Sequence, residues 1–138
     1  MIEKEIATGF KELDKLLGGL RKSEFAIIGG RPSIGKTSLV LSIAKYVVQN
    51  EKVPTAFFSF EMSKEQIVSR YLYENQDLDY LIIDDCSDYT ISEFKSECIR
   101  LNKDKDIGLI VVDYLQLFPQ IYGSKNREIE FAGAVNEL

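Results

Sequence analysis

The chain has 138 residues, enough for one folded core and short for two, and its 45% hydrophobic and 28% charged composition is globular rather than disordered. A net charge of −5, from 22 acids against 17 bases, argues against a surface that is basic all round for wrapping nucleic acid. A local basic strip, or a channel built by several subunits, stays open. The absence of histidine excludes Ser-His-Asp triads, imidazole proton transfer and most zinc sites.

In chain order, the mixed-charge start (Met-Ile-Glu-Lys-Glu) is no signal peptide. Phe10, Leu13, Leu16 and Leu17 fall at helical spacing, and Gly18-Gly19 stops that helix. Residues 25–29 (Phe-Ala-Ile-Ile-Gly) read as a short buried strand. Over 36–49, Leu39, Ile43 and Val47 recur on one face and predict an amphipathic helix. Residues 55–60 predict a second buried strand. Ser63 with Gln66 forms a capping box ahead of Ile67, Val68, Tyr71 and Leu72. A strand over 80–83 ends in Asp84-Asp85. Thr90 with Glu93 is a second box, opening a helix whose stripe is Ile91, Phe94, Cys98 and Leu101. The most apolar strand is 107–115. Cys86 and Cys98 lack CxxC spacing and read as reduced cytosolic thiols. The longest purely apolar runs, such as 109–112, are too short to span a membrane. These features predict a soluble cytoplasmic chain. The β-α-β-α-β-α-β order with near-continuous apolar strands predicts an α/β fold: a mostly parallel sheet flanked by helices on both faces. No repeat or linker divides residues 1–138, so a single domain is expected.

Three features carry chemistry. Residues 30–37 (Gly-Arg-Pro-Ser-Ile-Gly-Lys-Thr) satisfy G-x-x-x-x-G-K-[ST], between a predicted strand and a predicted helix. Backbone amides can close around phosphate oxygens only where side chains are absent at closest approach, a need that Gly30 and Gly35 meet. Lys36 is expected at the β- and γ-phosphates, and Thr37 at Mg²⁺. Second, residues 109–113 (Leu-Ile-Val-Val-Asp) end in Asp113, a candidate to hold the Mg²⁺ shell opposite that loop. Asp84 competes for the role from a shorter, less apolar strand. Third, Glu61 follows the 55–60 strand and is a candidate to polarise an attacking water. It reads equally as an exposed acid before the Ser63 cap.

Residues 8–14 (Thr-Gly-Phe-Lys-Glu-Leu-Asp), 18–20 (Gly-Gly-Leu) and the 30–37 loop resemble the start of the RecA-like motor domain of DnaB-type replicative helicases. Residues 59–62 (Ser-Phe-Glu-Met) are similar to that family's Ser-Leu-Glu-Met, and 113–117 match its Asp-Tyr-Leu-Gln-Leu. Asn126, Arg127 and Glu130 resemble the helix that follows. The Arg-Pro-Ser in the loop and the Asp-Tyr-Leu-Gln run separate the chain from RadA-like and KaiC-like relatives. The resemblance implies a RecA-like P-loop NTPase with ATP and Mg²⁺ as cofactors. It places Gly30, Arg31, Pro32, Ser33, Ile34, Gly35, Lys36, Thr37 and Ser38 at the nucleotide, and Thr37 and Asp113 at the metal. Glu61 and Lys36 take the catalytic roles. It also implies a homo-hexamer on single-stranded DNA, with a primase and a helicase loader as partners. Lys125 and Arg127 fall where the family faces DNA, and each reads equally as a solvated loop position.

Two departures from the family accompany the match. Between Glu74 and Leu81 the chain is shorter. The family also continues, beyond the position matching Leu138, with a strand ending in a γ-phosphate-sensing Ser-Gln pair and a later arginine that reaches a neighbour's site. That strand lies between the P-loop strand and the Asp113 strand, so both are expected here without their shared neighbour. The family's primase-binding domain has no counterpart in these residues. The expectation is a partial motor domain. The alternatives are a nucleotide-binding fragment without turnover and a RadA/RecA-like recombination ATPase.

Overall fold

Burial at the residues of the 55–60 run organises everything around it. In the computed structural model, which describes residues 5–72 and 79–114, Thr55–Ser59 forms β1, and all five of its residues are buried. β1 is the centre of a parallel sheet of order β2-β1-β3, with β2 at Leu81–Asp84 and β3 at Leu109–Asp113. The register pairs Phe58 with Asp84 on one side, and Ser59 with Asp113 on the other. Alternation along a strand sends successive side chains to opposite faces. On one face Ala56 and Phe58, continued by Phe60, pack against Phe94, Cys98 and Leu101 of α4 (Ile91–Lys105). The Phe58 ring meets Phe94 edge-on at 4.7 Å and Tyr89 at 6.2 Å, the T-shaped geometry that ring quadrupoles favour. On the other face Phe57 meets Leu41 and Ala44 of α2 (Lys36–Tyr46), Ile67 of α3 (Lys64–Tyr71), and Leu72. The predicted parallel sheet with helices on both faces is the observed one.

Both capping boxes form. Ser63 Oγ accepts from the Gln66 amide at 3.3 Å, and the Gln66 side chain accepts from the Ser63 amide at 3.0 Å; Thr90 and Glu93 repeat the exchange ahead of α4. Hydrogen bonding from Thr90 holds the Glu93 carboxyl below its usual range. The stripe predicted on α4 is buried at Phe94, Cys98 and Leu101, and burial pushes the Cys98 thiol up to about 12. The predicted strand over 80–83 is displaced by one residue, and within the described part of that over 107–115 the strand is β3.

The structure corrects the sequence reading at two places and adds to it at a third. Residues 25–29 form no ladder with β1, β2 or β3, and they are exposed, Ile27 at 59%. An apolar run becomes a strand only beside a partner edge. Among the described residues β3 ends the sheet, and a cleft of about 2300 Å³ is lined by both it and this run. The helix predicted over 36–49 is α-helical only to Tyr46 and then widens into a π-turn segment, Val47–Glu51. The sheet-facing residues of α2 are Val40, Leu41 and Ala44, while Ile43, together with Val40, lines the cleft. The first helix, α1 (Lys11–Leu17), ends at Gly18 as expected but buries none of its residues: Leu16 is 85% exposed. It is tied instead by polar bonds. The amide and hydroxyl of buried Thr8 donate to Asp14 Oδ1 at 2.8 and 2.7 Å, and an isolated antiparallel bridge joins Ile6 to Leu20. Gly9 lies in this knot at φ +87, with Tyr46 so close that a Cβ would sit 2.5 Å from its ring.

Candidate nucleotide site

Three chain segments meet at the carboxyl end of the sheet, where ligands bind in open α/β sheets. The first is the glycine loop. Gly35 is the N-cap of α2 at φ 102, a conformation suited to glycine, and a Cβ there would meet nothing within 4 Å. The helix start therefore faces open space. No side chain caps α2 and its first turn holds no acid, which leaves the positive end of the helix to an external anion. Lys36 Nζ folds back over the loop and donates to the carbonyls of Gly30 and Arg31, both at 3.0 Å. Its ammonium is thereby held over the hollow of the loop.

The second segment is the end of β3. Asp113 is 4% exposed, and a buried carboxylate needs a donor. Thr37 Oγ1 donates to its Oδ2 at 2.8 Å, across 76 positions of sequence. This bond fastens the start of α2 to the end of β3.

The third segment is the turn after β1. Ser59 is buried, and its Oγ donates to the Met62 carbonyl at 2.6 Å while accepting from the Met62 amide at 3.1 Å. The Phe60 amide donates to the Asp113 carbonyl at 2.8 Å, carrying the β1–β3 ladder one residue further. Glu61 lies between these bonds and is exposed. Gly30, Pro32, Ser33, Gly35, Lys36, Thr37, Ser38, Glu61 and Asp113 line the same cleft. That cleft exceeds the roughly 300–1,000 Å³ of a small-molecule pocket, because it continues along β3, whose outer edge pairs with no strand among the described residues.

Not every residue named from sequence converges here. Arg31 and Ile34 are exposed and do not line the cleft; a Cβ at Gly30 would meet the Ile34 γ-methyl at 3.0 Å. Ser38 Oγ donates to the Tyr71 hydroxyl at 3.3 Å, so its side chain links α2 to α3. Asp84, the competitor for the metal, closes β2 on the far side of β1. It accepts from the Cys86 amide at 2.9 Å and from Tyr89 Oη at 2.7 Å; burial, together with that second bond, pushes the Tyr89 phenol up. Lys125, Arg127 and the match over 115–117 lie outside the described residues, as do Asn126 and Glu130. The sequence reading assigned no role to Ser59; a serine beginning a turn is the local signal that marks it.

The residues present fit a phosphate chain and a divalent cation. A glycine at positive φ opens the loop, a lysine lies over it, and a hydroxyl and a buried carboxylate meet beside it. Among the described residues no cluster of three or more His, Cys, Asp or Glu forms a self-sufficient metal cage. This set accords with Mg²⁺, which typically takes one or two protein groups plus phosphate oxygens and water.

The family model of the DnaB-like helicase C terminal domain matches residues 5–81 and 74–138, two segments that meet where the chain reads as shortened. The chain is 33% identical to the replicative DNA helicase DnaB of Nostoc over 162 aligned positions, covering 96% of this chain and 18% of that protein. It is 32% identical to the Bacillus subtilis replicative DNA helicase DnaC and 38% identical to a probable replicative DNA helicase of Trieres chinensis, covering 36% of each. The chain thus spans about a third or less of the curated relatives it matches. A solved structure of a DnaB-like replicative helicase, studied with its primase interactions, superposes with a TM-score of 0.74 at 19% identity, covering 97% of this chain and 41% of that one. A second solved structure, an isolated ATPase domain, does so with 0.74 at 20%, covering 60% of that chain. The fold is RecA-like, and the chain belongs to the DnaB-like helicase C-terminal domain family.

Proposed function

We propose that this chain is the nucleotide-handling part of a replicative DNA helicase motor, binding Mg-ATP at 30–38 and hydrolysing it to drive translocation on single-stranded DNA and duplex unwinding. The observation that carries this reading is the Thr37–Asp113 hydrogen bond. It joins the hydroxyl at the helix start to the carboxylate at the end of β3, on the same cleft as Glu61.

In this reading, the amides at the start of α2 and the Lys36 ammonium bind and orient the β- and γ-phosphates. Thr37 and Asp113 would hold Mg²⁺, which when bound neutralises charge developing on the phosphate oxygens. Glu61 accepts the proton of the attacking water from the open side of the cleft. Lys125 and Arg127 are proposed to contact DNA phosphates. The motor works as a homo-hexamer in the cytoplasm with a primase and a loader, as in the relatives' family.

Lys36→Ala tests the site. Loss of a charge-assisted contact lowers ATP affinity about 10-fold or more. Unchanged affinity and hydrolysis in that variant contradict the assignment.

A second reading, binding without turnover, is favoured for this segment by one observation. Residues 25–29 and β3 face each other across the cleft without forming a ladder. Loop amides and Lys36 belong to one local unit, so binding tolerates this separation. Hydrolysis needs the carboxylates at fixed spacing, and an arginine finger supplied in trans is worth about 10³–10⁵ in rate. Separate measurements of ATP affinity and of hydrolysis, each with and without single-stranded DNA, divide the two readings.

A further inference from the structure

Glu61 is exposed, and its side chain is long, so what sets the position of its carboxylate is the backbone that carries it. That backbone is pinned immediately before and after. Before it, the Phe60 amide is fixed to the Asp113 carbonyl, on the strand that ends in the candidate metal carboxylate. After it, both polar backbone groups of Met62 are taken by one atom, the Ser59 hydroxyl, which donates to the carbonyl and accepts from the amide. Ser59 is itself 2% exposed and paired with Asp113 in the β1–β3 register, so its Oγ is anchored in the sheet and cannot follow the turn outward.

We propose that Ser59 is a positioning residue for Glu61: its buried hydroxyl closes the 59–62 turn and fixes the Glu61 Cα at the mouth of the cleft. The proposal rests on the reading of Glu61 as the carboxylate that accepts the water's proton. Met62 is half-buried against the α2–α3 face of the sheet. Without the hydroxyl its amide and carbonyl lose their partner and must reach water, because an unmade buried hydrogen bond is costly. The route to water is opening of the turn, which swings Glu61 away from the strand end. The neighbouring Ser63 hydroxyl accepts from the Gln66 amide at the start of α3. The downstream end stays fixed when the clip is lost, because the Lys64 amide donates to Asp85 Oδ2 at 2.8 Å. The disturbance is thereby confined to 60–63.

The test compares Ser59→Ala, Ser59→Thr, Glu61→Gln and the double variant Ser59→Ala/Glu61→Gln, by single-turnover ATP hydrolysis, ATP affinity and amide hydrogen exchange. Ser59→Ala is expected to slow hydrolysis about 10- to 10²-fold, the effect of an ångström-scale misplacement, while ATP affinity changes less than about twofold. Ser59→Thr, which keeps the hydroxyl, restores most of the rate. In the Glu61→Gln background Ser59→Ala adds no further loss, because the group it positions is gone. Exchange at the Met62 amide accelerates while that at Phe57, in the middle of β1, does not. Unaltered Met62 exchange in Ser59→Ala overturns the proposal even if hydrolysis is too slow to follow. So does a wild-type rate in Ser59→Ala when Glu61→Gln is slow, or an equal loss with and without the Glu61 carboxylate. A wild-type rate in Glu61→Gln overturns the catalytic reading of Glu61 itself, and is recognised by that variant alone.

Discussion

Two carboxylates face the cleft from adjacent strands, and their surroundings divide the work between them. Asp113 is buried and already bonded to the hydroxyl of Thr37, the environment of a group that organises other ligands. Glu61 is exposed at a turn, where water reaches it. Asp113→Asn is therefore expected to weaken the Mg²⁺ dependence of nucleotide binding. Glu61→Gln is expected to spare binding and lower the hydrolysis rate by about 10²–10⁴-fold, the usual contribution of a positioned base. Affinity measured over a Mg²⁺ series, with rates from the same samples, checks the division; identical profiles in the two variants contradict it. A third acid acts on stability. Hydrogen bonds from the Thr8 side chain and then its amide hold the Asp14 carboxyl below its usual range. A carboxyl lowered by folding contributes stability above its unfolded pKa and loses it as pH falls through the folded value. Asp14→Asn keeps an acceptor for Thr8 and removes the titration. Denaturant midpoints from about pH 6 to about pH 2 are thus expected to fall less steeply in Asp14→Asn than in wild type. Parallel acid limbs contradict the assignment.

At the scale of the element, what could be read from the sequence was whatever local rules decide. Ser63 with Gln66 and Thr90 with Glu93 announce helix starts because the capping bonds close within four residues. The α4 stripe was legible because the helix buries one face on one sheet. Phe94→Ala is expected to cost about 3–5 kcal/mol, the range for a fully buried aromatic, since it empties the contact beneath Phe58. A chemical denaturation curve measures it, and a loss below about 1 kcal/mol contradicts the packing described. Residues 25–29 were misread because apolar content reports a capacity to pair, whereas pairing needs an edge alongside. In α1 the spacing gave the helix and Gly18 its end, but helical spacing fixes only which residues share a face, and Leu16 and Leu17 lie exposed. In the site, the loop was legible from its glycines and Lys36. Thr37 and Asp113 were both expected at the metal, but the direct bond between them was not legible, since it depends on how the start of α2 packs against the end of β3.

For the molecule as a whole, the central claim is that the glycine loop, the end of β3 and the turn after β1 are parts of one nucleotide site. The loop at the start of α2 is joined to the end of β3 by the Thr37–Asp113 bond, and the turn after β1 opens onto the same cleft. Among the described residues no strand pairs the outer edge of β3, which is the reason that binding is expected to outlast turnover. The most direct test is a Mg-ATP titration of the chain followed through its backbone amide signals. Saturable shifts are predicted at 30–38, with smaller ones at Glu61 and Asp113, and none along β2 or at Asp84. Absence of saturable binding, or shifts centred on β2 and the 85–89 loop, contradicts the claim.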